Sequence, residues 1–170
     1  MNIIIFGNSG SGKSTLAKRL SAGNNIPHLD LDEVAWQDTS PPERLPIAES
    51  EQKIDSFTSS NKSWVIEGCY TSLISHIAES ASHLYFLNIP VEQCVENCQR
   101  RPWEPHKYKT KQQQDDNLPA LIHWVKDYQH RDDEFSHNSH QQFFEKHYGP
   151  KTEMTSNTQA VLIPNTIQAK

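Results

Sequence analysis

The chain has 170 residues, with 16 Lys and Arg against 21 Asp and Glu, for a formal net charge of −5. That length supports one domain with its own core, and the acidic balance argues against nucleic acid or an anionic membrane as partner, since both need a basic face. No run of about 18 apolar residues occurs and the chain opens on an apolar strand, so neither a membrane span nor a signal peptide is expected, and a cytoplasmic setting is. Three cysteines, Cys69, Cys94 and Cys98, cannot all pair and read as reduced thiols.

The first predicted element is the strand Met1-Asn2-Ile3-Ile4-Ile5-Phe6, apolar and rich in β-branched residues. Gly7-Asn8-Ser9-Gly10-Ser11-Gly12-Lys13-Ser14-Thr15 follows, with the frame Gly, four residues, Gly-Lys-Ser of a Walker A phosphate loop. Leu16, Ala17 and Leu20 then recur at helical spacing, with Gly23 as a stop. Strand, glycine loop and helix are the context that gives this motif its meaning. Gly7, Gly10 and Gly12 let the backbone bring N–H groups close to a phosphate, and the helix N-terminus favours an anion. Ser9 and Ser11 belong to the same loop. Lys13 is placed to reach the β- and γ-phosphates, Ser14 to put its hydroxyl on Mg²⁺, and Thr15 to hold the α-phosphate.

Ile26 to Asp30 reads as a second short strand, ending in the carboxylates Asp30 and Asp32. Carboxylates at the C-terminal end of such a strand sit at the ligand crevice of α/β sheets, although Asp32 also suits a helix cap. Pro41, Pro42 and Pro46 mark a loop. Ile47 to Ser59 forms a sparse amphipathic helix, either a cover over a pocket or a plain surface helix. Ser63 to Gly68 is the third strand, with Glu67 and Gly68 at its end, and Tyr70 to Ser80 a helix. His83 to Ile89 is the fourth strand, and Val91 to Arg101 a helix stopped by Pro102. Alternating strands and helices imply a parallel sheet covered on both faces.

Residues 102–117 break the pattern. Lys107, Lys109 and Lys111 precede the polar run Gln112 to Asn117, read as a solvated loop where a kinase would carry a lid. Helices are expected over Leu118–Tyr128 and Glu134–Tyr148. Six of the nine histidines fall between His106 and His147, and a solvated helical face explains His137 and His140 better than a metal does. Ala160-Val161-Leu162-Ile163-Pro164 is the expected fifth strand.

With these stretches in view, the chain resembles small P-loop kinases of the adenylate kinase and shikimate kinase type. More narrowly it is similar to bacterial proteins labelled DNA topology modulation protein. The resemblance runs from residue 1 to about 131. It is carried by Gly7–Thr15, His28-Leu29-Asp30-Leu31-Asp32 with Trp36, Trp64 to Tyr70, Leu87-Asn88-Ile89-Pro90, Arg100-Arg101, and Trp124 with Tyr128 and Arg131. It implies a single P-loop domain over residues 1–170: an α/β three-layer sandwich on a five-stranded parallel sheet in the order 2-3-1-4-5, with a lid near 102–117. It implies ATP and Mg²⁺, with Glu67 beside the metal and Asp30 and Asp32 near acceptor and metal. Arg100 and Arg101 match lid arginines, and Arg131 an arginine after the lid.

Two departures stand out. Gly68-Cys69-Tyr70 replaces the usual Gly-Asn-Tyr, and the lid offers lysines where arginines are common. A lysine brings charge without the bidentate fork of arginine. The label about DNA topology does not fit the acidic charge.

The expected activity is transfer of the ATP γ-phosphoryl group to a small acceptor, nucleotide- or nucleoside-like, in a pocket between Asp30, Trp36, Gly68 and Tyr70. Asp30 or Asp32 would orient the acceptor, and Arg100, Arg101 and Arg131 would neutralise developing charge. A helix C-terminus favouring cations explains the arginine pair equally simply. The competing readings are a regulatory nucleotide-binding protein that hydrolyses ATP slowly, and a scaffold with an idle phosphate loop. A GTPase is disfavoured because no Asn-Lys-x-Asp motif occurs.

Overall fold

The structure, a computed structural model, describes residues 1–39, 42–105 and 107–159. Its elements are β1 (Asn2–Gly7), α1 (Lys13–Asn24), β2 (His28–Asp30), α2 (Asp32–Ala35), α3 (Ile47–Ser60), β3 (Trp64–Gly68), α4 (Thr71–Ile77), β4 (His83–Leu87), α5 (Val91–Gln99), α6 (Lys111–Lys126), α7 (His137–Lys146) and β5 (Lys151–Met154). The strands pair in parallel in the order β2-β3-β1-β4-β5, as the sequence implied.

Alternation along β1 explains why the sheet is covered on both sides. Ile4 and Phe6 face a core completed by Ile54 of α3 and Leu73 and Ile74 of α4. Ile3 and Ile5 face the opposite core, with Leu16, Ala17 and Leu20 of α1, Cys94 and Cys98 of α5, and Val125 of α6. Successive side chains of a strand point to opposite faces, so an all-apolar central strand needs helices on each. Each such buried isoleucine contributes about 1.5–3 kcal/mol. Phe6 stacks on Phe86 of β4 with ring centroids 5.0 Å apart. α1 ends at Asn25, whose φ of 51° is a left-handed turn that asparagine tolerates well.

Register positions the site. Asp30 pairs with Glu67, Ile5 with Glu67 across the other edge, and Gly7 with Leu87. The carboxylates and the glycine loop therefore emerge together at the C-terminal edge of the sheet, where neighbouring strands run to opposite sides of β1.

Three expectations need correction. The fifth strand of the sheet is Lys151–Met154, paired with β4; residues 160–164, expected to form it, lie outside the described residues. Only Met154 of this edge strand is buried, so it has no apolar run to reveal it. Next, α6 begins at Lys111, so the second half of the expected loop is helix. Thr110 caps it by accepting from the Gln113 amide at 3.1 Å, and Lys111–Asp115 and Gln112–Asp116 pair one turn apart. The helix expected from Leu118 therefore starts earlier, and Pro119 sits inside it. Finally, His140 is not on a solvated face: it is wholly buried, and the His137 ring packs against Tyr128 and Phe86. No helix among the described residues is long and apolar enough to cross a membrane.

Candidate phosphate-binding site

The loop after β1 is held in shape from several sides. Asn8 donates from Nδ2 to the Val125 carbonyl at 3.1 Å, near the end of α6. Its Oδ1 accepts from the Ser9 amide at 2.8 Å. Asn97 of α5 donates to the Gly10 carbonyl, and Asn157 beyond β5 to the Ser11 carbonyl, each at 2.8 Å. Both bonds occupy carbonyl oxygens that would repel an anion.

Gly10 has no alternative. Its φ is 77°, and a Cβ there would stand 2.3 Å from the Cys94 carbonyl oxygen and 2.7 Å from Cys98 Sγ. Gly12 precedes α1 with φ 94°, and aims the first turn of that helix at the space above the loop. Lys13 Nζ donates to the Asn8 carbonyl at 2.9 Å, so its ammonium lies across the loop mouth.

Opposite the loop stand three carboxylates. Asp30 is buried, and burial, together with the charges of Glu67 and Asp32, raises its pKa despite the pull of Lys107. For Asp32 burial also pushes upward, but the Lys107 ammonium and the Tyr70 hydroxyl win and lower its pKa. Glu67 is buried too. The His28 contact, the Lys13 charge and the Ser14 hydroxyl outweigh that burial and hold it below its ordinary value. Lys107 Nζ lies 3.0 Å from Asp30 Oδ2 and 2.6 Å from Asp32 Oδ2. Its pKa rises on this account, against the effect of its own burial.

A cavity of about 710 Å³ joins these groups, within the range of small-ligand sites. Ser9, Gly10, Gly12, Lys13, Ser14 and Thr15 line it on the loop side, and Asp30, Asp32, Glu67 and Gly68 on the other. Gly7 and Ser11 shape the loop from behind, Ser11 being fully buried. Arg100 and Arg101 also line the cavity. Arg101 is engaged by Glu104 at 3.0 Å, while Arg100 is mostly exposed, 3.7 Å from Glu96.

Besides Gly7 and Ser11, three expected site residues are not among those lining this cavity. Arg131 stacks over Trp124, 4.0 Å from the ring centroid, and donates to Asp133 at 2.6 and 3.0 Å. Trp36 donates from Nε1 to the Tyr70 hydroxyl at 2.8 Å, and that hydroxyl donates to Asp32. The pair backs Asp32 rather than facing the loop. Arg44 stacks on the Tyr70 ring at 4.5 Å and reaches Glu134 at 3.5 Å, bracing the pair.

The residues present fit a nucleoside triphosphate with Mg²⁺. The glycine backbone approaches too closely for any Cβ at Gly10, and α1 points its N-terminus at the cavity. Among the described residues Glu67 Oε1 is buried without a hydrogen-bond partner, with His28 Nε2 3.6 Å away. Among the described residues no cluster of three or more His, Cys, Asp or Glu could hold a metal by itself. Mg²⁺ takes one or two protein oxygens and completes its shell with phosphates and water.

Sequence reasoning missed Asn8, Asn97 and Asn157 as loop supports and left Lys107 as one lid lysine among several. It also missed His140, whose Nε2 meets the Cys69 carbonyl at 2.9 Å and whose Nδ1 meets the Tyr128 hydroxyl at 2.7 Å. Only Asn8, inside the motif, had a local signal.

A family model described as AAA domain matches residues 3–118. No curated protein matches the chain. Among solved structures it is similar to deoxyadenosine kinase from M. mycoides with bound dATP, at 10% identity and TM-score 0.50, covering 91% of each chain. It is also similar to shikimate kinase from Aquifex aeolicus VF5, at 20% identity and TM-score 0.47, covering 90% of this chain and 85% of that one. An uncharacterized protein from Eubacterium ventriosum ATCC 27560 gives 18% identity and TM-score 0.43, covering 91% and 89%. The likeness to the deoxyadenosine kinase structure is one of fold, and agrees with the parallel sheet order seen here. With its match spanning well over half its length, the chain belongs to the AAA domain family.

Proposed function

We propose that the protein is an ATP-dependent phosphotransferase acting on a small acceptor, nucleotide- or nucleoside-like. The observation that carries this reading is that one cavity unites the Walker loop with three carboxylates at the end of β2 and β3. A simple phosphate-binding loop needs no such carboxylate wall opposite it.

Bound ATP would supply the γ-phosphoryl group, and Mg²⁺, which Ser14 and Glu67 would hold, would neutralise charge on it. Loop amides and Lys13 hold the phosphate chain, Ser14 offers its hydroxyl to the metal, and Glu67 stands behind it. Asp32, held by the Tyr70 hydroxyl, accepts a hydrogen bond from the acceptor hydroxyl and orients it. Asp30, with its raised pKa, is the better placed of the two to take a proton. Arg100 and Arg101 line the cavity at the start of the segment over it, which acts as a lid. Trp36 and Tyr70 set the position of Asp32.

The test is ADP formation from Mg·ATP across a panel of nucleoside monophosphates, nucleosides and small metabolic acids, with Lys13→Ala as blank. One acceptor that raises turnover far above the basal rate supports the proposal. ATP binding without any stimulation favours a regulatory nucleotide-binding protein instead. Turnover and binding independent of Lys13 would sink both.

A further inference from the structure

Lys107 is the lid-side cation that crosses the cavity. It lies in the connection between α5 and α6, whose residues Trp103, Glu104 and Tyr108 also line the cavity. Arg101 in the same connection is already neutralised by Glu104, which is itself tied through its amide to Gln114 Oε1 at 2.8 Å. Arg100 points outward, its side chain 78% exposed. Lys107 instead reaches over to β2 and bridges Asp30 and Asp32 at 3.0 and 2.6 Å, with its side chain 21% exposed. The ammonium thus occupies two of the three carboxylates that face the phosphate loop.

That arrangement cannot serve every state of the pocket. A triphosphate entering above Lys13 brings several negative charges into a cavity already walled by Asp30, Asp32 and Glu67. Lys107 is the cation among those lining the cavity that is held on Asp30 and Asp32. An ammonium on a flexible four-carbon stem can change partners by rotating single bonds, where an arginine would lose a bidentate fork. We propose that Lys107 exchanges partners: it holds Asp30 and Asp32 in the nucleotide-free pocket and moves to the terminal phosphate when a triphosphate binds. The lid lysine is then a phosphate contact and, when idle, a plug on the acceptor carboxylates. Nucleotide binding frees the carboxylates for a metal or an acceptor, so the acceptor side opens only after the nucleotide side is filled. This inference rests on the phosphotransferase reading above.

The test uses the full chain and its Lys107→Met, Lys107→Arg and Asp32→Asn variants, each confirmed folded by its melting curve. Without nucleotide, Mn²⁺ alone is titrated and followed by electron paramagnetic resonance. Removing the plug in Lys107→Met tightens Mn²⁺ binding about tenfold, as expected for freeing two carboxylates from a charged partner. With Mg²⁺ present, a non-hydrolysable ATP analogue and ADP are compared by calorimetry. Lys107→Met weakens the triphosphate about tenfold and ADP much less, because the lost contact is to the terminal phosphate. Lys107→Arg keeps the preference for triphosphate. Asp32→Asn, which releases Lys107 from its stronger partner, tightens the triphosphate. A Lys107→Met variant with unchanged Mn²⁺ affinity and unchanged triphosphate preference overturns the exchange and makes Lys107 a fixed lid tether. A wild-type chain that binds no nucleotide, or binds it equally well as Lys13→Ala, overturns the phosphotransferase reading as well.

Discussion

His140 donates from Nε2 to the Cys69 carbonyl, tying α7 to the turn that follows β3. The carbonyl can only accept, so the proton sits on Nε2, and Nδ1 accepts from the Tyr128 hydroxyl. The imidazole is therefore neutral, and both of its nitrogens are satisfied inside the core. Three elements meet on one side chain beside Glu67 and Tyr70.

Burial pushes the His140 pKa from 6.5 down to about 4. Between those two values the unfolded chain takes up a proton that the folded chain refuses. Stability contributed by His140 is thus full above about 6.5 and is lost as pH falls toward about 4, where the loss levels off. The predicted decline is on the order of 3 kcal/mol across that window. Urea melts at pH 7, 6, 5 and 4.5 check it. His140→Gln, which does not titrate, should flatten the slope over that range while lowering stability at pH 7. An equal slope in wild type and variant would assign the effect to other groups.

Two glycines predict opposite outcomes for the same substitution. At Gly10 a methyl group meets backbone and sulfur under 3 Å away, on a left-handed residue. Gly10→Ala should cost roughly 1–3 kcal/mol and abolish Mg·ATP-induced thermal stabilisation. At Gly23 in α1 a Cβ meets nothing within 4 Å. Gly23→Ala should stabilise by about 0.5–1 kcal/mol and leave nucleotide binding unchanged. Paired melting curves with and without Mg·ATP distinguish the two.

Asn157→Ala removes the bond to the Ser11 carbonyl and the contact with Asn97 at 3.1 Å. Asn157 is exposed, so global stability should change by less than about 0.5 kcal/mol. The loop then loses one of its supports, and Mg·ATP should bind several-fold more weakly. Calorimetry beside a thermal melt separates these effects; a large drop in melting temperature would make Asn157 a folding residue instead.

Pro119 is exposed, yet it stands within α6 and has no amide to offer the Asp115 carbonyl one turn back. Pro119→Ala should stabilise the protein by about 1–3 kcal/mol, read by urea denaturation. If α6 gained nothing, its first turns would have to contribute little to the cooperative unit.

What the sequence disclosed and what it hid divide along one physical line. The Walker loop, β1 and β3 announce themselves because their signals are local: glycine spacing, and apolar runs buried on both faces. Asp30 and Glu67 were legible for the same reason, since both sit at strand ends. Lys107, Asn157 and His140 do their work through partners 75, 146 and 71 positions away, and no spacing rule reports such contacts. The edge strand Lys151–Met154 was hidden because one buried residue suffices for it. Arg131 carried a plausible charge, but Asp133 and Trp124 hold it away from the cavity.

The clasp of Asn157 on Ser11 also has a consequence for biogenesis. A ribosome makes the glycine loop well before the asparagine that steadies it, which comes 146 positions later. Until then the nascent chain carries the motif without the finished loop. On the proposed function, tight nucleotide binding therefore belongs to the completed fold, and a growing chain is spared from trapping a ligand before that clasp exists.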